Sequence, residues 1–266
     1  MDGLTADRRT IAVLARRDLA LFFSQRTRVL GAIAQTALFW IAIGAGIAPA
    51  FRIRGNDDLG FLSYFFPGVL VMLLLQNGIS ATMSVIEDRH AGFLQGILVG
   101  PGSRAAVVLG KCAGSTLVAV AHAGLFVALA PLAGFSYSGI RWGALAVAVV
   151  LTALAFNALG FALAWWIDST TGYHVAMSLV LFPLWMLSGA MFPPEGLHPV
   201  LAWVLRVNPV TYAVSAVRRA LHGGTLPAGT GVLESSAVLE LAVLAIAAVA
   251  LTAIAVRVCT RRPAAH

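Results

Sequence analysis

Four groups of residues in this 266-residue chain carry functional groups from which chemistry could be built. The first runs from Glu87-Asp88-Arg89 through Gly92, Leu94, Pro101 and Arg104 and closes at Lys111. Charge, a short apolar stretch and a Pro-Gly turn in that order are the composition of a docking element for a soluble partner. The second is a set of polar side chains inside otherwise apolar runs, Gln35, Gln76, Asn77, His122 and Asn157. Such groups face a protein interior or a wet cavity, so they either line a substrate path or hydrogen-bond between helices. The third is Asn208-Pro209-Val210-Thr211-Tyr212 with Arg218 and Arg219 beyond it. The fourth is Glu240, about one turn into the last apolar run, for which pairing with Arg218 or Arg219, or snorkelling to the interface, is favoured over proton transfer.

Several common chemistries lack their residues. A P-loop needs G-x-x-x-x-G-K-[ST] to cradle phosphates and hold magnesium. The Gly110-Lys111 pair has Ala105 in place of the first glycine and Cys112 in place of the hydroxyl, so the chain does not hydrolyse ATP by that route. The six histidines (His90, His122, His174, His198, His222, His266) are scattered, and no cysteine pair has zinc spacing, so neither a metal site nor a bound cofactor is expected. A G-x-S-x-G motif and paired intramembrane carboxylates are absent too, which argues against a hydrolase or a proton relay.

The elements that must position these residues follow from composition. Charged residues make up 11% and the hydrophobic set 59%, with a mean hydropathy of +0.88, against roughly 25% charged in an average soluble domain. Apolar runs at 29–51, 61–86, 112–135, 142–167, 175–192 and 237–256 are each long enough to cross a hydrocarbon core of about 30 Å as a helix. Lipid offers no partner to an open backbone group, so the expected fold is an all-α polytopic membrane protein with six transmembrane helices in a single domain, 1–266.

Orientation follows the basic residues. Arg8, Arg9, Arg16, Arg17, Arg26, Arg28, Arg89, Arg104, Lys111, Arg257, Arg261 and Arg262 fall on one side. Arg52, Arg54, Arg141, Arg206, Arg218 and Arg219 fall on the other, so both termini are expected to be cytoplasmic. The net charge of +7 then reflects topology and anionic lipid rather than nucleic acid. The Arg-rich start lacks the h-region of a signal peptide, so the first run is expected to remain as an anchor.

Residues 8–27 form a basic amphipathic helix suited to the cytoplasmic interface, with Asp18 interrupting its apolar arc. The outer segment 193–235 carries two further short amphipathic helices, one on either side of Asn208-Pro209. Gly110-x-x-x-Gly114 would let two helix backbones approach closely. Pro131 and Pro183 are positioned to kink the third and fifth spans, and Cys112 and Cys259 are expected as free thiols.

The stretch 87–104 resembles the loop between spans two and three of ABC-2 type exporter permeases, which reads roughly E-R-E-x-G-T-L-E-x-L-L-x-x-P-x-S-R. Asp88, Arg89, Gly92, Leu94, Ile97, Leu98, Pro101, Ser103 and Arg104 match or nearly match it, while His90, Phe93 and Gln95 depart from it. Leu187-Ser188-Gly189-Ala190-Met191-Phe192-Pro193, and Asn208 through Arg218, are similar to that family's L-S-G-x-x-F-P and N-P-x-T-Y-x-x-D-x-x-R, with Ser215 in place of the Asp.

The resemblance implies a half-transporter. Two permease subunits, identical or paralogous, form the pathway, and two ABC ATP-binding subunits, which hold ATP and magnesium, drive it from the cytoplasm. It assigns coupling to Glu87, Asp88, Arg89, Gly92, Leu94, Pro101 and Arg104, and an outer motif to Asn208, Pro209, Tyr212 and Arg218. Span surfaces rich in aliphatic and aromatic groups suit an amphiphilic cargo, such as a drug, lipid or lipid-linked glycan, exported across a bacterial cytoplasmic membrane. An ion-gradient-driven secondary transporter is the alternative, and it calls for charged groups near the bilayer midplane. An intramembrane enzyme, the third class, calls for clustered His, Asp or Ser facing one cavity.

Overall fold

The structure, a computed structural model, describes residues 3–51, 59–90, 103–167, 169–193, 198–231 and 235–261. Nine α-helices and no strand occur among these residues: α1 Gly3–Ser24, α2 Arg26–Ile47, α3 Phe61–His90, α4 Arg104–Val127, α5 Trp142–Ala164, α6 Thr170–Met186, α7 Pro199–Val207, α8 Pro209–Leu221 and α9 Ala237–Arg261. Helices α2, α3, α4, α5 and α9 are long and apolar enough to cross a membrane. Helix α6 has 17 residues, about 25 Å of rise, and needs its flanks to complete a crossing. The α7–α8 pair, bent by 80°, is apolar enough to enter a membrane as a broken or re-entrant element. The all-α polytopic architecture read from the sequence is the one observed.

Two boundaries differ from the hydropathy reading, for local reasons. The third crossing is α4, which starts eight residues before 112 because the Ser103 hydroxyl accepts the Ala106 amide as an N-cap. It ends at Val127, and Pro131 stands in the first turn of the 3-10 segment Ala130–Ala133, closed by Gly134 at φ 88°, so it terminates the crossing rather than kinking it. The fifth crossing begins at Thr170, where the Ser169 side chain accepts the Gly172 amide, and stops at Met186. The chain then turns through Gly189, whose φ of 73° suits a residue without a Cβ. Pro183 sits in the last turn of α6, and the Leu187 amide still reaches its carbonyl.

Helix α3 is the axis of the fold, packed by α2, α4, α5, α6 and α8. Its upper half is sealed by aromatics: Phe66 stacks on Phe126 with centroids 4.7 Å apart, and Trp40 meets Phe66 edge-on at 5.3 Å. The Trp40 indole donates to the Leu62 carbonyl, so its polar handle is satisfied inside the core. Tyr64 and Asp88, 24 residues apart on this helix, lie about 36 Å from each other along it. They mark two opposite ends, and each end carries a polar cluster.

Helix α1 runs alongside α4 in the same direction, from Asp7 beside Ser103 to Phe22 edge-on against His122 at 4.8 Å. The Gly110-x-x-x-Gly114 pair makes this seam. A Cβ on Gly110 would stand 3.0 Å from the Leu14 side chain and 3.1 Å from the Ile11 backbone, and one on Gly114 would stand 2.6 Å from Asp18. The close approach permitted by the two glycines is therefore used within the chain, to receive α1. Part of the apolar arc of α1, Leu14 and Phe22, is buried, whereas Val13 and Phe23 stay exposed on its outer side.

Candidate functional site

At the α1 end, one carboxylate holds three helices. Arg17 of α1 donates to both oxygens of Asp88 (3.2 and 3.0 Å), and Lys111 of α4 donates to Asp88 Oδ2 at 2.7 Å. Lys111 also lies 3.4 Å from the Ser84 hydroxyl and 3.8 Å from Asp18. A second tie closes the same region, because the Ser103 amide and hydroxyl both donate to Asp7 of α1, at 2.7 and 2.9 Å. The chain leaves α3 just after Asp88 and enters α4 just after Ser103. The end of α3 and the start of α4 are thus both fastened to α1.

The other residues read as coupling groups divide in the structure. Arg89 is buried, donates to the Ala164 carbonyl at the end of α5 (3.0 Å) and lies 5.1 Å over the Trp165 ring. Arg104 reaches the Cys259 carbonyl of α9 at 3.4 Å. Glu87 alone of the charged trio is exposed. Gly92, Leu94 and Pro101 lie outside the described residues. Asp88 and Arg89, expected as a docking surface, are therefore internal struts that tie the end of α3 to α1, α4 and α5.

Asp18 sits where α1 meets Gly114, and burial pushes its carboxyl above the usual carboxylate range, against the opposing pull of Lys111 and Arg17. A raised folded-state pKa means that the folded protein keeps this proton to higher pH than the unfolded chain does. The burden on stability is absent below the unfolded value, grows as pH rises to the raised folded value, and is constant above it. Asp18→Asn removes that dependence. Thermal unfolding should show the variant gaining on the wild type as pH rises above the ordinary carboxylate range, and a gap that does not change with pH would refute the assignment.

The five polar residues within the spans do not converge. Gln35 is exposed on α2, and Asn77 donates to the Leu73 carbonyl of its own helix at 2.8 Å. Asn157 is buried and donates to Thr116 (3.2 Å), joining α5 to α4, and His122 packs against Phe22 of α1. Gln76 is exposed and borders a groove of about 120 Å³ between α3 and α6, together with Met72, Ser178, Phe182 and Trp185. Asn157 and His122 thus serve helix packing, and Gln76 and Gln35 face outward.

At the far end, the two motifs following the fifth span form one clamp. Asn208 Oδ1 accepts the Val210 amide and so caps α8, while its amide nitrogen donates to the Leu184 and Leu187 carbonyls at the end of α6 (2.6 and 2.9 Å). Pro209 occupies the first turn of α8, where a missing N–H costs nothing, and the Tyr212 hydroxyl ties back to the Arg206 carbonyl at 2.8 Å. Arg218 is buried at 1% exposure and donates to the Thr230, Tyr64 and Gly189 carbonyls at 3.0, 3.3 and 3.2 Å. Its guanidinium also lies 4.3 Å over the Tyr64 ring, whose hydroxyl donates to the same Gly189 carbonyl. Gly68 of α3 faces Ala190 so closely that a Cβ would stand 3.0 Å from the Ala190 backbone, and this seats the turn on α3.

Beside this clamp, Glu240 is fully buried and accepts from Arg219 (2.9 and 3.0 Å), Ser215 (2.6 Å) and Ser235 (2.7 Å). The expected pairing therefore falls on Arg219. Ser215, where the resembling motif has an acid, contacts a carboxylate supplied from α9.

A family profile described as ABC-2 type transporter matches residues 9–222. The chain belongs to the ABC-2 type transporter family. Among curated relatives of this ABC-2 chain, Nodulation protein J of Rhizobium meliloti (strain 1021) is 25% identical over 225 residues, 81% of this chain and 82% of the relative. The daunorubicin resistance ABC transporter permease protein DrrB1 of Streptomyces coeruleorubidus is 25% identical over 165 residues, 61% of this chain and 58% of the relative. The inner membrane transport permease YadH of Escherichia coli (strain K12) is 22% identical over 187 residues, 70% and 72% of the two chains. The chain is thus a multi-pass ABC-2 membrane permease, and it belongs to a class of subunit without a nucleotide-binding domain of its own.

Some residues of both clusters escaped the sequence reading of this ABC-2 permease. Asp7, Arg17 and Tyr64 were not singled out, since an Asp in a basic stretch, one Arg among six and a Tyr in an apolar run look ordinary. Lys111 was visible as the end of the loop, and its burial at 4% was not.

Proposed function

We propose that this permease is the membrane-spanning half of an ATP-driven exporter that moves an amphiphile outward. In this reading the Asp88 end faces the cytoplasm, both termini lie on that side, and the membrane is the bacterial cytoplasmic membrane. Two copies, or one copy with a paralogue, form the pathway. A separate ATP-binding subunit, holding ATP and magnesium, docks on α1 and the loop after α3, through Glu87, Gly92, Leu94 and Pro101. The observation that supports this most is the double fastening of α1, to the end of α3 through Asp88–Arg17 and to the start of α4 through Ser103–Asp7. A push on α1 is thereby delivered to the end of α3 and the start of α4 together. The α3–α6 groove offers an amphiphile both kinds of contact, with Phe182 and Trp185 beside Gln76 and Ser178. The daunorubicin resistance ABC transporter permease among the relatives agrees with transport of such a compound.

Ion-gradient transport is the weaker reading, because Glu240, the acidic residue inside the last span, is committed to Arg219, Ser215 and Ser235. The test is purification of the tagged protein from its native membrane, followed by an ATPase assay with and without Glu87→Lys. That substitution changes an exposed charge at the loop and leaves the buried struts alone. A stoichiometric ATP-binding partner should co-purify, with stimulated hydrolysis falling several-fold in the variant while its melting temperature is unchanged. Purification without such a partner overturns the reading.

A further inference from the structure

On the outer side of α5 and α9 lies a groove of about 610 Å³ walled by Leu154 of α5 and by Ala248, Val249, Thr252, Ala253, Val256, Arg257 and Thr260 of α9. The α9 residues repeat at helical spacing, so the groove follows the helix from Ala248 to Thr260, a rise of about 18 Å. One leaflet contributes about 15 Å of the hydrocarbon core, so the groove has the length of a single leaflet. Its apolar floor ends at Arg257, which is exposed, and Arg261 stands one turn further on the same face.

Charge along the groove is one-sided. Helix α5 holds no acidic residue, and the acidic residue of α9, Glu240, lies 17 residues or about 25 Å from Arg257 at the opposite end. Arg257 has no acidic partner among the described residues. Five residues deeper, the Thr252 hydroxyl is buried without a hydrogen-bond partner among the described residues, at the level where a lipid anchored at Arg257 carries its ester carbonyls.

We infer that this groove is a binding site for one anionic phospholipid, with its phosphate at Arg257 and Thr260, its ester region at Thr252, and an acyl chain along Val256, Ala253, Val249 and Leu154. A cation at the end of an apolar channel of one-leaflet length matches a negatively charged headgroup on a single lipid. The site shares no residue with the Asp88 latch or the α3–α6 groove, and it does not depend on the coupling reading.

The test is lipid retention by the purified full-length permease in detergent, read by native mass spectrometry with added phosphatidylglycerol, phosphatidylcholine or inorganic phosphate. Wild type should retain phosphatidylglycerol about fivefold better than phosphatidylcholine, the factor expected from one basic group at an anionic headgroup. Arg257→Gln should abolish that preference and Arg257→Lys keep it, and Ala253→Trp, which fills the groove without touching charge, should lower retention of both lipids. Equal retention of the two lipids by wild type, or an undiminished preference in Arg257→Gln, overturns the proposal. Displacement of phosphatidylglycerol by millimolar phosphate also overturns it, since the site would then recognise the free anion.

Discussion

Truncation of Asp88 to Ala should release α1 from the bundle and lower stability by about 3–5 kcal/mol, the usual cost of removing one partner from a buried ion pair. The burden falls unequally on the two cations. Arg17 keeps 35% of its side chain exposed and can turn to water, whereas Lys111 is 4% exposed and would retain only the Ser84 hydroxyl at 3.4 Å and Asp18 at 3.8 Å. Adding Lys111→Met to Asp88→Ala should therefore recover much of the loss, because an apolar side chain of similar length does not need the missing carboxylate. Unfolding temperature in detergent measures the first effect, and the rate of tryptic cleavage after the exposed Arg26, at the α1–α2 junction, measures release. If Asp88→Ala melts and cleaves like wild type, the three-helix latch is not a structural element. If the proposed ATP-binding partner docks there, the hydrolysis it stimulates should fall with the same variant and return only in part with the double substitution, since α1 is then held by Asp7–Ser103 and packing alone.

Arg218 sets the second large effect, at the opposite end. Its side chain answers three carbonyls from three separate segments, at Thr230, Tyr64 and Gly189, and covers the Tyr64 ring. Arg218→Ala leaves those acceptors facing a void. Hydrogen bonds from a charged donor contribute about 1.5–3 kcal/mol each, so a loss of about 3 kcal/mol or more is expected. Arg218→Lys keeps the charge but not the planar fork and cannot span the three acceptors, so it should recover less than half of the loss. Chemical denaturation of the three proteins side by side is the measurement. A Lys variant as stable as wild type would show that charge, not geometry, is what this position supplies.

Much of the helical layout was legible because long apolar runs have few alternatives in lipid. The boundaries that moved did so for reasons hydropathy does not register. Ser103 begins α4 by capping it, although the first turns of that helix carry Arg104 and Lys111, and Gly189 stops α6 although the residues around it stay apolar. The two functional clusters were legible as motifs and opaque as geometry. Asp88 and Arg89 looked like surface charges because they sit at a span end, yet one is consumed by Arg17 and Lys111 and the other by the end of α5. That convergence joins residues 71 and 23 positions apart, a relation that no local pattern encodes. The Glu240–Arg219 pair was within reach of the sequence, because a lone carboxylate in an apolar helix demands a cation nearby.

The parallel seating of α1 along α4 also fixes when this helix can find its place. Asp7 must wait for Ser103, 96 residues later, and Arg17 for Asp88. At 5–20 residues per second, the ribosome needs about 5–20 s to deliver the partner of Asp7. Helix α1 is thus placed late, after its partners on α3 and at the start of α4 have been made. Until then its arginines and exposed apolar groups have the membrane surface as their host. Slowing synthesis between Ser24 and Ser103 would prolong that interval, and quality-control proteases would meet α1 in its undocked form.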